Sequence, residues 1–386
     1  MTHHIMAAIS AHGFGHLAQI APVINACQRL SDQGVAPEFE LTFRSTLPRT
    51  QIAARVPRPF HLDIGADDFG MVMLDALRVD LLQSLQRYAI LHQRWDEHVE
   101  TLAQHLQTRR LTGVLADAPY LTLAAAKAAN IPSVAICSLN WAEILEQCVR
   151  RDPEATKAAG VSAAQLTQIL QQMREAYSST RLVMRPQPAI DTPGFKTMLI
   201  EPLTAGAPPS KRAELLAWIK QQTNYLTADE DCWIVLTSMG GINLPLHPES
   251  WPTTCMGRKL IYLMDRDLVG HSSHAIGFDL NRFDFAVMMA SCDVVLTKPG
   301  YGMFVETRVN RKPLLYLERD QWPESDCLMQ WAHEQMHARK ITLQQIATGD
   351  FADELAAMLQ QPTVDQADFK GSEIAANLIT QHLLDS

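Results

Sequence analysis

The chain has 386 residues, 47% of them apolar, enough for two hydrophobic cores. Its formal charge of −9 argues against a general nucleic-acid binder, which needs a basic field, and against an anionic membrane surface. No apolar stretch reaches the ~18–20 residues of a membrane span, no leader-like segment opens the chain, and the seven cysteines form no CxxC pair, so a soluble protein of a reducing, cytoplasmic compartment is expected.

Ile5 to Ser10 reads as a buried strand, followed by the glycine turn Ala11-His-Gly-Phe-Gly-His16 and a helix from Leu17 to Leu30 that Gly34 can end. Phe39 to Phe43 is a second strand. Leu74 to Arg110 reads as one long helical region, with Leu77, Leu81, Leu82, Leu85, Tyr88, Leu91 and Trp95 on one face. Gly113 to Ala116 is a strand ending at Asp117, Leu121 to Ala129 a small helix, and Ser133 to Ser138 the next strand. Six prolines between about 185 and 212 mark a linker.

The alternation then restarts. Trp233 to Thr237 is a strand running into Ser238-Met-Gly-Gly241, and Lys259 to Leu263 is another. Val294 to Thr297 runs into a turn with Lys298, Gly300 and Gly302, and a helix opening near Met303 carries Glu306 in its first turn. Leu314 to Leu317 is a further strand, followed by helices from Ser325 to Ala338 and from Ser372 to Leu384. Such alternation builds α/β lobes on parallel sheets, and ligands bind beyond the carboxyl ends of their strands. The expected division is an N-terminal lobe over 1–185, a C-terminal lobe over 186–366, and a last helix over 367–386 crossing back to the first lobe.

Several residues could carry chemistry. His12 and His16 flank a glycine turn at a strand end, where an imidazole can take a proton near neutral pH; a capping or merely exposed histidine reads the same way. Asp117, at another strand end of that lobe, could orient such a base or simply cap a turn before Pro119. The turn of Ser238, Gly240 and Gly241 could meet a diphosphate with its backbone, and Lys298 could add a charge. The segment around Gly300 to Glu306 combines glycines, a helix N-terminus and a carboxylate, the parts of half a nucleotide site. His333-Glu-Gln-Met-His337 matches the HExxH zinc pattern, with Glu354 on offer as a third ligand, but the expected helix stops too soon after His337 and lies on the lobe's outside.

These residues together resemble the GT-B glycosyltransferases, among them the peptidoglycan N-acetylglucosaminyltransferase and the UDP-glycosyltransferases. The turn ending in His16 looks like their Gly-His turn, whose histidine is the acceptor base, and Asp117-Ala118 is similar to the context of the supporting aspartate. Lys298-Pro-Gly-Tyr-Gly-Met-Phe-Val-Glu306 is similar to their donor motif, in which the glutamate holds ribose and the turn holds the diphosphate. Asp320-Gln321 resembles the sugar-reading pair, set two residues closer to the glutamate. Lys298 stands in place of a phosphate-binding histidine, and Met303 in place of a serine. A closer resemblance, over nearly the whole chain, is to the glycosyltransferase-like part of arabinokinase-type proteins. It rests on His12-Gly-Phe-Gly-His16, Leu77-Arg-Val-Asp, the Tyr88 to Trp95 helix, Pro132-Ser-Val, Asn140-Trp141 and Thr297-Lys-Pro-Gly-Tyr-Gly.

The resemblance implies two Rossmann-like lobes facing a cleft, and transfer of a sugar from a nucleotide-diphosphate sugar, UDP-linked, to a hydroxyl acceptor. His16 would be the general base and Asp117 its support. Ser238, Gly240, Gly241, Lys298, Gly300, Tyr301, Gly302, Met303, Glu306, Asp320 and Gln321 would bind the donor. On the acceptor side stand His12, Asp67, Asp68, Asn140 and Trp141. No metal and no cofactor beyond the nucleotide sugar is expected. A non-catalytic nucleotide-sugar module and a GT-B epimerase or hydrolase are the alternatives.

Overall fold

The structure is a computed structural model that describes residues 3–10, 14–240, 244 and 246–385. The first sheet holds β1 (His3–Ile9), β2 (Phe39–Ser45), β3 (His61–Ile64), β4 (Gly113–Asp117), β5 (Ser133–Ile136), β6 (Leu182–Pro186) and β7 (Met198–Ile200), in the spatial order β3-β2-β1-β4-β5-β6-β7. Every neighbouring pair is parallel. The second sheet holds β8 (Cys232–Ser238), β9 (Thr254–Cys255), β10 (Arg258–Met264), β11 (Ala275–Gly277), β12 (Val294–Thr297), β13 (Leu314–Leu317) and β14 (Ala338–Ile341). Its order is β11-β10-β8-β12-β13-β14, parallel throughout, with the short β9 antiparallel to β10.

Helices cover both faces, so the central strands are apolar without alternation; all of Val294–Thr297 and Gly113–Asp117 is buried. In each sheet the strand order reverses about one strand. β1 lies between β2 and β4, and β8 between β10 and β12. These switch points open crevices at the strands' carboxyl ends. His16 and Asp117 follow β1 and end β4; Ser238 and Lys298 end β8 and follow β12.

Three expectations change. The long helical region divides into Leu81–Gln93 and Trp95–Thr108, and Met71–Asp80 is an irregular strap with one bridge, Met73 to Val79. Asp80 explains the late start: its carboxylate accepts from the Gln83 amide and caps the helix at Leu81. Leu77, read as part of the helix face, instead enters the second lobe's core beside Met239, Leu244 and Leu246. The first sheet runs past residue 185 to β7, so that boundary falls inside β6. Finally, the helix after β12 spans Tyr301–Val309, which moves Glu306 to its second turn.

The helix Gly371–Ile379 packs against the helix Phe14–Asp32 of the first lobe. Gly371 is needed there because a Cβ would lie 2.0 Å from the Glu201 carbonyl oxygen.

Candidate active site in the interlobe cleft

The helix Phe14–Asp32 begins almost at the end of β1, which places His16 in its first turn, 6% exposed. Asp117 closes β4 and is fully buried. The next residue, Ala118, has φ of +70°, a left-handed conformation that costs a non-glycine residue about 1–2 kcal/mol. The Tyr177 hydroxyl holds this bend by donating to the Ala118 carbonyl at 2.6 Å. His16 Nδ1 lies 3.0 Å from Asp117 Oδ1. When Nδ1 donates to the carboxylate, Nε2 is the nitrogen left to accept a proton. Burial alone would lower the His16 pKa, but the charge and hydrogen bond of Asp117, with Asp68 and Glu324 behind them, outweigh it and raise it.

The residues expected on the acceptor side divide by what they contact. Asp68 accepts from Ser10 Oγ at 3.0 Å and from Trp141 Nε1 at 2.5 Å. The Trp141 ring, fully buried, stands 5.9 Å from the His16 ring and walls the crevice. Asp67 is bound by Arg44 through three contacts of 2.6 to 2.9 Å and by Thr122. It is a structural partner of Arg44, which also meets Asp63. Asn140 caps the helix Trp141–Arg151, its Oδ1 accepting from the Glu143 amide at 2.9 Å. His12 and Gly241 lie outside the described residues.

In the second lobe, Gly240 has φ of +74°, so the turn after β8 requires glycine, and a Cβ on it would lie 3.5 Å from Lys298 Cε. Thr297 Oγ1 ties the two strand ends together by donating to the Ser238 carbonyl at 2.6 Å. Burial, and after it the Arg319 charge, push the Lys298 ammonium down to about 7. Its Nζ donates to the Ala76 carbonyl of the strap at 3.1 Å. Gly300 caps the Tyr301–Val309 helix in extended conformation. The Tyr301 side chain turns into the core, its hydroxyl accepting from the Leu203 amide at 2.8 Å, so only its backbone faces the helix N-terminus. Gly302 is an interlobe residue: a Cβ would stand 3.2 Å from Ala18 Cβ, and the first turns of two helices meet there. Met303 packs on the core edge. Glu306 is partly exposed and meets Arg55 of the first lobe at 3.4 Å.

The segment after β13 differs from its expected reading. Asp320 and Gln321 are both exposed, and the carbonyl of Asp320 accepts from Arg151 of the first lobe at 2.6 Å. Their neighbours Arg319, Trp322 and Glu324 are 5%, 2% and 5% exposed. Glu324 Oε1 accepts from Ser138 Oγ across the cleft at 2.7 Å, and Oε2 accepts from Trp322 Nε1 at 3.1 Å. Trp322 sets its edge against Trp141 at 6.4 Å. Sequence reasoning missed these three. The signal was present, since charged residues just beyond a strand's carboxyl end face the ligand crevice, but which side chain of such a run turns inward is not written locally.

Among the described residues, His16, Asp117 and Cys137 are the trio of histidine, cysteine and carboxylate whose ligand atoms all lie within 4.8 Å of one another. A cation there would compete for the His16 Nδ1 that holds Asp117. Burial, and next the Asp117 charge, push the Cys137 thiol well up, which favours a protonated sulfur over a ligating thiolate. His333 and His337 do not share a helical face: the helix ends at Gln335, His333 Nε2 lies 2.8 Å from the Tyr316 hydroxyl, and Glu354 accepts from Gln345.

No protein-family model matches the chain. It is similar to L-arabinokinase of Arabidopsis thaliana, 24% identical, over 97% of this chain and 34% of that protein, so it spans about a third of that relative's length. Among solved structures it is similar to the spinosyn forosaminyltransferase SpnP (14% identity, TM-score 0.58, covering 100% of this chain and 96% of that one). The glycotransferase of kitacinnamycin is another (16%, TM-score 0.59, 99% of each chain). A third is UGT89C1 of Arabidopsis thaliana, in its complex with UDP (13%, TM-score 0.53, 99% and 94%). Two parallel-sheet, Rossmann-like lobes with their switch points turned toward one cleft give this chain the GT-B fold of those glycosyltransferases.

Proposed function

We propose that the protein transfers a glycosyl group from a nucleotide-diphosphate sugar, UDP-linked, to a hydroxyl acceptor. One observation carries this reading. A buried His16–Asp117 pair at one switch point faces, across the Gly302–Ala18 contact, a helix N-terminus and Lys298 at the other.

In this mechanism His16 Nε2 takes the acceptor hydroxyl proton as that oxygen bonds to the anomeric carbon. The bond from the anomeric carbon to the diphosphate oxygen breaks, and its electron pair leaves with the diphosphate. Asp117 fixes the imidazole and stabilises the imidazolium that forms. The Tyr301 helix N-terminus, the Ser238–Gly240 turn and Lys298 stabilise the departing charge, the part a metal ion plays elsewhere. Glu306 holds the ribose hydroxyls, exchanging Arg55 for them. The UDP-bound relative supports the choice of nucleotide.

A thermal-shift screen over nucleotides and nucleotide sugars tests the donor half. UDP and a UDP-sugar should raise the melting temperature, and no stabilisation by any nucleoside diphosphate would sink the reading. A second reading, epimerase or hydrolase, is favoured by the two further buried carboxylates in the cleft, Asp68 and Glu324. Sugar release or inversion from the donor without any acceptor would select it.

A further inference from the structure

Arg319 is 5% exposed, and its Nε has no hydrogen-bond partner. Among the described residues no carboxylate lies within 4.0 Å of its guanidinium; the ring of Trp322, 4.4 Å away, is what it rests on. Buried arginines are ordinarily paired. The carboxylate that acts on it most strongly, Glu324, has both oxygens engaged, one by Ser138 and one by Trp322. Lys298 likewise has no carboxylate partner among the described residues, where its Nζ donates to the Ala76 carbonyl.

The two cations are neighbours for a topological reason. β12 and β13 are adjacent and parallel, with Thr297 in register with Tyr316. Lys298 follows β12 directly, and Arg319 follows β13 by two residues. Both therefore stand at the same carboxyl edge, close enough for the Arg319 charge to act on Lys298. The Gly240 turn and the Tyr301 helix N-terminus border the same place. A buried arginine and a half-buried lysine, like charges beside a helix N-terminus, form an arrangement suited to an anion.

We propose that Arg319 is a second phosphate-binding cation set beside Lys298, and that the pair selects a diphosphate over a neutral or singly charged ligand. The proposal rests on the donor-site reading above. The planar guanidinium supplies parallel N–H donors to two phosphate oxygens, and the lysine supplies a point charge. Ligand oxygens replace the Ala76 carbonyl on Lys298, so binding releases the strap.

Binding also takes up a proton. The unliganded Lys298 ammonium sits at about 7, and an anion raises that value. Just above neutrality the free lysine is partly neutral and the bound one charged, so affinity falls as pH rises above 7.

Isothermal titration with inorganic pyrophosphate, UMP and UDP, on the whole protein and on Arg319→Met, Arg319→Lys and Lys298→Met, tests this. Arg319→Met should bind pyrophosphate and UDP at least tenfold more weakly, while its unliganded melting temperature stays at or above the parent's, because an unpaired buried charge has been removed. Arg319→Lys should recover part of the affinity. The preference for UDP over UMP should shrink in Arg319→Met. Proton uptake on binding at pH 7.5, read from buffers of different ionisation enthalpy, should vanish in Lys298→Met. Parental affinity in Arg319→Met would overturn the proposal and leave the donor reading standing. Lost binding with a lowered melting temperature in Arg319→Met, unrelieved by Arg319→Lys, would assign Arg319 a structural role and overturn it too. Pyrophosphate binding that depends on Arg319, with no binding of any nucleoside diphosphate, would keep the anion site and remove the donor reading. A parent protein that binds neither overturns both.

Discussion

The two faces of the cleft are built on opposite electrostatic plans. On the first lobe each charged group is answered from within the protein: His16 by Asp117, Asp68 by Ser10 and Trp141, Asp67 by Arg44 and Thr122. On the second lobe the half-buried Lys298 and the buried Arg319 stand at adjacent strand ends, without a carboxylate of their own among the described residues. The first face is organised before anything binds, which the proposed role of His16 as a base requires. The second is left incomplete, as a phosphate site must be if the ligand's charge is to contribute to affinity. On the proposed reading, a cleft with one finished face and one unfinished face separates chemistry from binding.

The sharpest way to break the comparison is at His16. Replacement by alanine should reduce turnover of a UDP-sugar about 10²- to 10⁴-fold, the usual contribution of a positioned base, while UDP affinity by titration stays at the parental value. Equal losses in both would mean the first face binds the donor. The Asp67→Ala substitution tests the structural half of that face. It leaves the half-buried Arg44 with one carboxylate fewer and should cost about 3 kcal/mol of stability by denaturant unfolding, without a change in nucleotide affinity. If stability is unaffected, Asp67 is not the structural partner its contacts indicate.

Glu306→Gln should weaken UDP about tenfold, the value of a charge-assisted hydrogen bond, and leave pyrophosphate unchanged. Equal losses for both ligands would move Glu306 from ribose to phosphate. The smallest effect concerns the pH profile. The His16 pKa lies above its ordinary value near 6.5, so kcat/KM should rise with pH through that raised value as the base deprotonates. The same shift gives a stability contribution that is full below 6.5 and lost as pH rises through the folded value. In Asp117→Asn the NMR titration midpoint of His16 should fall. An unmoved midpoint would show that Asp117 does not set the base.

Local sequence carried the punctuation of this fold. The runs at Val294 to Thr297 and Gly113 to Ala116 had to be buried strands because they are apolar without alternation. Glycines placed turns at the strand ends, and a helix had to follow the turn around Gly300, though it opens at Tyr301 rather than Met303. Local sequence misled where a residue's face depends on something distant. Leu77 has helical spacing, yet Asp80 caps the helix after it and frees it to enter the other lobe's core. Gly302 also has a constraint that local sequence does not show, since a Cβ there would press on Ala18.

What the chain determined by itself is the alternation of strands and helices and the residue types waiting at the strand ends, because periodicity and turn chemistry act over a few residues. Tertiary structure alone decided which of those residues meet. His16 finds Asp117 across 101 positions, and Ser138 finds Glu324 across 186. It also turned Arg319 inward and Asp320 outward, because beyond β13 the path is set by what the other lobe packs against it: Trp141 on Trp322, and Arg151 on the Asp320 carbonyl.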